Sequence, residues 1–360
     1  MTRERSWGPA PGLFPGLLAV QRAAMDGLRG AHARALDLFG FGVHECAYEV
    51  IASGPHWRLR HYPGPATGAS VLLVPAPIKR PYIWDLAPGV STVRFCLDRG
   101  FSVHLMEWQP PAESDGPAGI EDYADALVSA CDAIAAERPG LPPFVLGHSL
   151  GGTLAAIACA WRPSLARGLV LLGAPISFEP GSSRFRDLVV SQDGDIPEDD
   201  TVPGSLLSQS CAFLAPETFV WPRLMDAAFS LADPAALETH IRVLRWALDE
   251  VPLPGRLVHQ MVEWLYREDR FRNGTLTIAG RTLGPGDLRI PVLAVVNPSD
   301  EIGPRESAQP FFERMATSDT RIIEHPAEIG IVLQHLAILT GRQAHAETWP
   351  EIAAWIEARV

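Results

Sequence analysis

The sequence predicts a layered α/β fold, in which helices flank a mostly parallel central sheet. Short apolar runs of strand length alternate with helix-like segments, the rhythm expected of β-α-β units. The strand-like runs are residues 70–74, 102–106, 144–146, 169–172, 291–296 and 321–324. Residues 121–136 separate two of these runs and carry apolar side chains at helical spacing. We therefore expect the sheet to be formed by residues 45–175 and 288–360.

Residues 1–44 are expected to form a helical extension that precedes the sheet. Apolar residues recur at helical spacing through residues 16–40, among them Leu17, Met25 and Leu28. The apolar run near Pro15 is interrupted by that proline and lacks a small-residue cleavage site, which argues against a signal peptide.

The most informative segment is Gly-His-Ser-Leu-Gly-Gly at residues 147–152, between the strand-like run 144–146 and an apolar helical run. A Gly-x-Ser-x-Gly sequence between a strand and a helix is typical of a nucleophile elbow, a sharp turn that exposes a serine hydroxyl. Such a turn needs neighbours without bulk, which the glycines supply. We predict that Ser149 is the nucleophile. The N–H of Leu150, at the start of the helix, is predicted to be one donor to a developing oxyanion.

A serine nucleophile needs a base and a group that orients the base, and in an α/β-hydrolase they follow in the order serine, acid, histidine. The run 291–296 is followed by Asn-Pro-Ser-Asp-Glu, so Asp300 lies a few residues after a strand. This is the place expected for the orienting carboxylate. Glu301, which has a longer side chain, and Glu179, which follows an earlier strand, are the alternatives.

Three histidines follow Asp300 and are candidates for the base. His335 lies at a loop-like opening before an apolar run, and His325 ends a strand-like run and precedes a proline. His345 falls in a helical stretch rich in Ala and Glu. We favour His335, and the choice between it and His325 stays open.

The second oxyanion donor should come from the loop that follows an early strand. Residues 75–80 form that loop after the run 70–74. Pro77 has no N–H and cannot donate. We therefore expect the N–H of Ile78 to be the donor, with that of Ala76 as the alternative.

Residues 176–287 interrupt the alternation of strands and helices and are expected to form an inserted helical cap. An insertion of this kind in a hydrolase is typically a lid, and apolar lid side chains predict an acyl-binding cleft. The same side chains could instead form the core of the lid, and both can hold. They include Phe213, Phe219, Trp221, Met225, Phe229, Trp246, Met261 and Trp264.

Several segments resemble the polyhydroxyalkanoate synthases, which are α/β-hydrolase-fold enzymes. The similar segments are residues 74–86, 107–111, 245–246, 253–254, 266–274 and 334–336, within residues 45–360. The resembling segments contain Trp108 and Trp246, and we expect these tryptophans and His148, which packs beside the nucleophile, to bind substrate. One difference stands out, because the synthases carry a cysteine where this chain has Ser149.

This difference favours hydrolysis over polymer synthesis. A serine forms an oxyester with the acyl group, which water can cleave, whereas a thiolate suits acyl transfer from coenzyme A. We expect a hydrolase of apolar or hydroxyacyl esters, including polyhydroxyalkanoate oligomers or intracellular polymer. The alternative is a synthase-like acyltransferase that uses hydroxyacyl-coenzyme A. A non-enzymatic scaffold is disfavoured, because a decayed enzyme has no reason to keep a complete Ser-Asp-His set.

Composition limits the partners and the compartment. Of the 360 residues, 47% are hydrophobic and 20% charged, as in ordinary globular proteins. A net charge of −12 argues against nucleic acid as a partner, and no apolar run is long enough to be a transmembrane segment. The five cysteines are widely spaced and form no metal-type pair, so we expect no metal, no cofactor and a cytoplasmic protein with reduced thiols. A homodimer is left open.

Overall fold

The computed structural model describes residues 14–65, 67–112, 117–138, 140–192, 196–317 and 319–360, with side chains from residue 23 onward. The chain separates into two compact units, Met1–Gly42 and Val43–Val360. In the first unit, helix α1 spans Phe14–Leu36 and is followed by a π-helical turn at Asp37–Phe41. The predicted helix is therefore present, whereas residues 1–13 of the predicted extension lie outside the described residues.

The second unit contains the central sheet. The strands of the described chain are β1 (Glu49–Gly54), β2 (Trp57–Tyr62), β3 (Ser70–Val74), β4 (Asp85–Ala87), β5 (Val90–Ser91), β6 (Ser102–Trp108), β7 (Phe144–His148), β8 (Gly168–Leu172), β9 (Thr201–Val202), β10 (Leu253–Pro254), β11 (Leu276–Ile278), β12 (Arg281–Leu283), β13 (Val292–Val296) and β14 (Thr320–Glu324). Eight of them form one sheet in the order β1-β2-β6-β3-β7-β8-β13-β14. Only the β1–β2 and β2–β6 pairs in this sheet are antiparallel. The predicted mostly parallel sheet is confirmed.

Helices cover both faces of this sheet. The further helices of the described chain are α2 (Thr92–Asp98), α3 (Ile120–Glu137), α4 (Leu150–Trp161), α5 (Arg184–Val190), α6 (Gly204–Leu214), α7 (Pro216–Phe219), α8 (Trp221–Ser230), α9 (Pro234–Ala247), α10 (Gly255–Gln260), α11 (Arg270–Asn273), α12 (Gln309–Phe312), α13 (Ala337–Thr340) and α14 (Trp349–Glu357). Helices α3 and α4 pack on one face, and α2, α13 and α14 pack on the other. Among the described residues, no helix is both long enough and apolar enough to cross a bilayer.

The central strands are buried on both faces, which explains why they read as continuous apolar runs. Every residue of β3, β6, β7, β8 and β13 is buried. Neighbouring residues of one strand enter opposite hydrophobic clusters: Val145 packs with α3 and α4, and Leu146 packs with α14. Helix α14 contributes Trp349, Ile352 and Trp355 to its cluster, which is the inner face predicted for it.

The predicted cap enters and leaves the sheet between two adjacent strands. β8 and β13 are parallel neighbours, with Leu169 paired to Val292, yet helices α5–α11 lie between them in the chain. The later part of this insertion joins the main core, because Leu257, Leu276 and Leu283 are fully buried in the cluster that contains α3 and α4. The earlier part, α5–α9, contributes Phe185, Leu207 and Trp246 to the wall of a cavity that Ser149 also lines.

Candidate active site

Ser149 occupies the turn between β7 and α4. Its backbone has φ +55° and ψ −136°, and its N–H donates to the carbonyl oxygen of Leu172 on the neighbouring strand at 3.1 Å. A positive φ at a residue other than glycine is strained and persists only where the surrounding structure enforces it. The predicted strand–turn–helix is therefore present, with the strain expected of a nucleophile elbow.

The glycines around Ser149 let three backbone segments approach more closely than any side chain would allow. A Cβ atom on Gly151 would lie 2.4 Å from the carbonyl oxygen of Val74 and 2.5 Å from that of Pro75. A Cβ atom on Gly152 would lie 2.4 Å from the Cβ of Ala174. The first turn of α4 is thus held against both the β3 loop and the end of β8.

Asp300 and His335 form a buried hydrogen-bonded pair. The Nδ1–H of His335 donates to Oδ2 of Asp300 at 2.8 Å, and the N–H of Ile302 donates to Oδ1 at 2.8 Å. Burial alone would raise the pKa of Asp300, but the charge and the hydrogen bond of His335, with backbone N–H groups of Ile302 and Gly303, outweigh it and lower this pKa. Asp300 is therefore ionised at neutral pH and fixes the tautomer of His335.

Ser149, the third residue of the predicted triad, lines the same cavity as His335. Ser149 and His335 both line a cavity of about 450 Å³. The Nε2 atom of His335 is buried and has no hydrogen-bond partner among the described residues. Because Nδ1 donates to Asp300, Nε2 is the ring nitrogen that can accept a proton. All three residues follow the carboxyl ends of parallel strands, where ligands bind in open α/β sheets.

His148 packs against His335, as expected for the residue beside the nucleophile. Its Nε2 donates to the carbonyl oxygen of His335 at 2.9 Å, and the two ring centres are 4.6 Å apart. Burial, and then the charge of His335, lowers the pKa of His148 to about 3. His148 is therefore neutral at physiological pH. It holds the backbone of His335 in place by donating a hydrogen bond to the His335 carbonyl oxygen.

The alternative histidines are engaged elsewhere. His325 is fully buried, with Nδ1 2.9 Å from Oγ1 of Thr348 and Nε2 2.9 Å from Oε1 of Glu328. Nε2 of His345 lies 2.9 Å from the carbonyl oxygen of Leu339. Neither histidine lines the cavity that contains Ser149.

The alternative acids form surface ion pairs. Glu301 lies 3.0 Å from the guanidinium of Arg184, and Glu179 lies 2.6 Å from that of Arg272. Neither is the carboxylate bonded to His335, which is Asp300.

The loop expected to supply the second oxyanion donor lines the cavity, as do Ser149 and Leu150. Leu150 is the first residue of α4, so its N–H is one of those that a helix leaves without an internal partner. In the loop, the carbonyl oxygen of Pro75 accepts from Trp108 Nε1 at 2.8 Å, and that of Ile78 accepts from Val251 N–H at 2.8 Å. The choice between the Ile78 and Ala76 amides stays a prediction.

The two tryptophans expected to contact substrate have different positions. Trp108, which the sequence analysis assigns to substrate, lies instead in the hydrophobic core with 1% of its surface exposed, and its ring packs 4.8 Å from that of Tyr123. It is not among the residues that line the cavity, because its indole points at the backbone of the β3 loop. Trp246 does line the cavity, and its Nε1 donates to the carbonyl oxygen of Arg80 at 2.8 Å.

The cavity walls are mostly apolar and come largely from the insertion. Lining side chains include Leu188, Val189, Leu207, Phe219, Val258 and Met261. Some of the aromatic and methionine residues noted in the sequence thus serve the cleft. Four others neither line the cavity nor form a lid core, because their side chains are largely exposed to solvent. They are Phe213, Trp221, Met225 and Phe229.

Contacts between the β3 loop and the insertion are a feature that sequence reasoning missed. The ammonium group of Lys79 donates to the carbonyl oxygen of Ala247 at 2.6 Å and lies 2.8 Å from the Glu250 carboxylate. The hydroxyl of Tyr82 donates to Oδ2 of Asp249 at 2.8 Å. The basic residue and the tyrosine near the loop were visible in the sequence, but their partners lie about 170 residues away and no local pattern identifies them.

Comparisons with known proteins show which families the chain is similar to. The family model described as "Serine aminopeptidase, S33" matches residues 93–195. The chain is 27% identical over 351 residues to a poly(3-hydroxyalkanoate) polymerase subunit PhaC of Haloferax mediterranei, covering 93% of this chain and 68% of that protein. It is 24% identical to the corresponding subunit of Allochromatium vinosum, covering 80% and 81% of the two chains.

Solved structures show the same fold. A monoacylglycerol lipase of Paleococcus ferrophilus superposes with a TM-score of 0.52 at 19% identity, covering 84% of this chain and 99% of the lipase. A structure from a study of carboxylesterases of Nitrososphaera gargenis superposes with a TM-score of 0.53 at 15% identity, covering 87% and 100%. At these identities the likeness establishes the α/β-hydrolase fold.

Proposed function

We propose that this chain, an α/β-hydrolase-fold protein that resembles the poly(3-hydroxyalkanoate) polymerases, is an enzyme that transfers acyl groups through an acyl-enzyme on Ser149. The observation that carries the proposal is the Asp300–His335 hydrogen bond, which leaves Nε2 of His335 unbonded, in a residue that lines the same cavity as Ser149.

The chemistry follows from the roles of these groups. Nε2 of His335 accepts the hydroxyl proton of Ser149 as its oxygen attacks the acyl carbonyl, and Asp300 stabilises the imidazolium. The N–H of Leu150 and one from the loop, that of Ile78 or of Ala76, hold the oxyanion. The carbon–leaving-group bond then breaks, His335 returns the proton to the leaving group, and the acyl group remains on Ser149 as an oxyester. An acceptor then repeats these steps in reverse.

The acceptor decides between transfer and hydrolysis. Relatives named as poly(3-hydroxyalkanoate) polymerases favour the acyltransferase, the alternative in the sequence analysis, over the ester hydrolase that it placed first. We therefore propose a hydroxyacyl thioester as the acyl donor and the hydroxyl of a second hydroxyacyl group as the acceptor. The mostly apolar walls support this choice, because they disfavour water, which competes with the acceptor.

Ester hydrolysis is the second candidate, favoured by one observation. This chain has Ser149 where the synthases it resembles use cysteine, and water can cleave the oxyester that a serine forms. The substrate would then be an apolar or hydroxyacyl ester, either a small molecule or a polymer. Both candidates share the acyl-enzyme and differ only in what removes the acyl group.

Product analysis tests the proposal. Wild type, Ser149→Ala and Ser191→Ala, a matched change at an exposed serine, are each incubated with 3-hydroxybutyryl-coenzyme A and with a p-nitrophenyl acyl ester. We expect wild type and Ser191→Ala to gain the mass of a hydroxyacyl group on Ser149 and to release oligomer. Free acid as the main product from both substrates would support the hydrolase instead. Activity that survives Ser149→Ala would reject both.

A second variant restores the nucleophile of the relatives. In Ser149→Cys the acyl-enzyme becomes a thioester, so we expect turnover of the coenzyme A substrate to be retained and that of the oxyester to fall. The ratio of oligomer to free acid should rise. A ratio that falls below that of wild type would contradict transfer as the native reaction.

We place the protein in the cytoplasm, because its five cysteines are free thiols, as expected in a reducing compartment. Alkylation of all five in freshly lysed cells tests this location, and oxidised thiols would contradict it. A homodimer remains an alternative to a monomer, which sedimentation of the purified chain decides.

A further inference from the structure

Helix α8 carries its polar residues inward and its apolar residues outward. Asp226 and Ser230 are buried, whereas Trp221, Met225 and Phe229 are 61%, 52% and 57% exposed. A helix on a globular surface normally has the opposite arrangement. Burying a carboxylate on the inner face costs free energy unless hydrogen bonds replace those lost to water. The groups that donate to Asp226 therefore indicate its role.

Asp226 accepts three hydrogen bonds, two of them from the loop that leads to His335. Its Oδ1 accepts from the N–H of Gly330 at 2.8 Å, and its Oδ2 accepts from the N–H of Val332 at 2.8 Å. Oδ2 also lies 2.6 Å from Nδ1 of His240 on α9, which must donate because a carboxylate can only accept. One side chain of the insertion thus holds the backbone of a loop that follows the last sheet strand.

The loop is held in a conformation that it would not adopt alone. Val332 has φ +68°, which is strained for a β-branched residue, and the N–H of Leu333 donates to the carbonyl oxygen of Ile331 at 2.8 Å. This bond closes a three-residue turn of a strained type. The turn leads directly into the short 3-10 helix Gln334–Leu336, which carries His335.

We propose that Asp226 is a positioning residue, which holds the turn at Val332 and thereby keeps His335 in the wall of the cavity that Ser149 also lines. The inference rests on the proposed function only in that His335 is taken as the base for Ser149. The proposed role connects the insertion to the base. Helix α8 must pack against the loop at Gly330 and Val332 for His335 to be correctly positioned. Because Arg223 of α8 also lines the cavity, one helix contributes to the cavity wall and holds the loop that carries the base.

Labelling of Ser149 by a serine-directed phosphonate tests the link, because it measures the activated nucleophile without needing the true substrate. Asp226→Asn preserves the shape but places an amide where a backbone N–H needs an acceptor. We expect the limiting labelling rate per folded molecule to fall about 10- to 100-fold, as displacements of about 1 Å do in active sites. The phosphonate concentration at half-saturation should stay unchanged. The matched control is Ser230→Ala, which removes a buried hydrogen bond of the same helix (2.6 Å to the Asp226 carbonyl oxygen) and should label at the wild-type rate.

A rescue variant separates positioning from general damage. Glycine adopts a positive φ without strain, so Val332→Gly in the Asp226→Asn background should recover part of the labelling rate. If Asp226→Asn does not fold, His240→Asn removes one donor from the same carboxylate, and slower labelling of a folded protein is expected. A folded Asp226→Asn or His240→Asn variant that labels at the wild-type rate would overturn the inference. Wild type that resists the phosphonate would instead reject the proposed nucleophile.

Discussion

The β7–α4 junction and helix α8 differ in where their polar side chains lie and in which part of the chain determines that position. At the junction, glycines allow close backbone contact and leave Ser149 as the polar group that faces the cavity. In α8, Asp226 points inward and Trp221 and Phe229 point outward. The first arrangement depends on neighbours in the sequence, so a local pattern reveals it. The second depends on a loop about 100 residues later in the chain, so only the structure reveals it.

The largest expected effect is at the buried pair beside the junction. Asp300→Asn keeps the shape but fixes the wrong tautomer of His335, so we expect turnover to fall about 10⁴-fold. The matched control is Glu301→Gln, the neighbouring acid that pairs with Arg184 at the surface. It should stay within about twofold of wild type, since surface ion pairs contribute little. Equal losses in the two variants would mean that Asp300 does not orient the base.

Phenylalanine replacements compare the interior with the outer face of α8. Phe144 on β7 is fully buried, so Phe144→Ala should lower the free energy of unfolding by about 3–5 kcal/mol. Phe229 on α8 is largely exposed, so Phe229→Ala should change it by no more than about 0.5 kcal/mol. Denaturant unfolding measures both. A large loss for Phe229→Ala would show that this face is covered in solution.

Because the backbone segments at the elbow are so close, adding a single methyl group there should reduce turnover. Gly151→Ala places a Cβ against the backbone oxygens of Val74 and Pro75, neither of which can move without shifting β3 or its loop. We expect turnover to fall about 100-fold from displacement of the oxyanion donors. Gly286→Ala, where nothing lies within 4 Å of the new atom, is the control. Wild-type turnover in Gly151→Ala would contradict the assignment of the oxyanion site.

The last expected effect is small near neutral pH and concerns acid stability. The pKa of His148 is about 3 in the folded chain, against about 6.5 in an unfolded one. Between these values the unfolded state binds a proton that the folded state does not. Stability is therefore lost as pH falls below about 6.5, by up to about 1.4 kcal/mol per pH unit. In His148→Gln, which keeps a donor for the His335 carbonyl, the slope of unfolding free energy against pH should be smaller by that amount. Equal slopes would show that His148 is not held neutral.

Much of the fold and the triad could be predicted from the sequence, because the determinants are local. Central strands buried on both faces appear as continuous apolar runs, and the elbow needs its glycines within three residues of Ser149. Asp300 and His335 were identified by their places after late strands. The structure brings the two together by a hydrogen bond, while their catalytic roles stay predictions.

What the sequence analysis missed depends on contacts between distant segments. The edge hairpin β1–β2 was not predicted, because the apolar run of its outer strand is only three residues long (50–52) and no residue of that strand is buried. Trp108 resembles a residue of a substrate loop, but its place in the sheet turns it into the core. The apolar residues of α8 were assigned to a cleft or a lid core, since a sequence pattern alone does not tell an inward face from an outward one.

The pairing of β8 with β13 has a consequence for engineering. The chain leaves the sheet at one strand and returns at its immediate neighbour, so the intervening segment has closely spaced ends. It can be exchanged if the graft restores the core contacts of Leu257, Leu276 and Leu283. A graft must still supply acceptors for Lys79 and Tyr82 and a carboxylate for the amide of Val332. Chimaeras that keep those three anchors should accept new pocket shapes, and so new acyl groups, beside an unchanged His335.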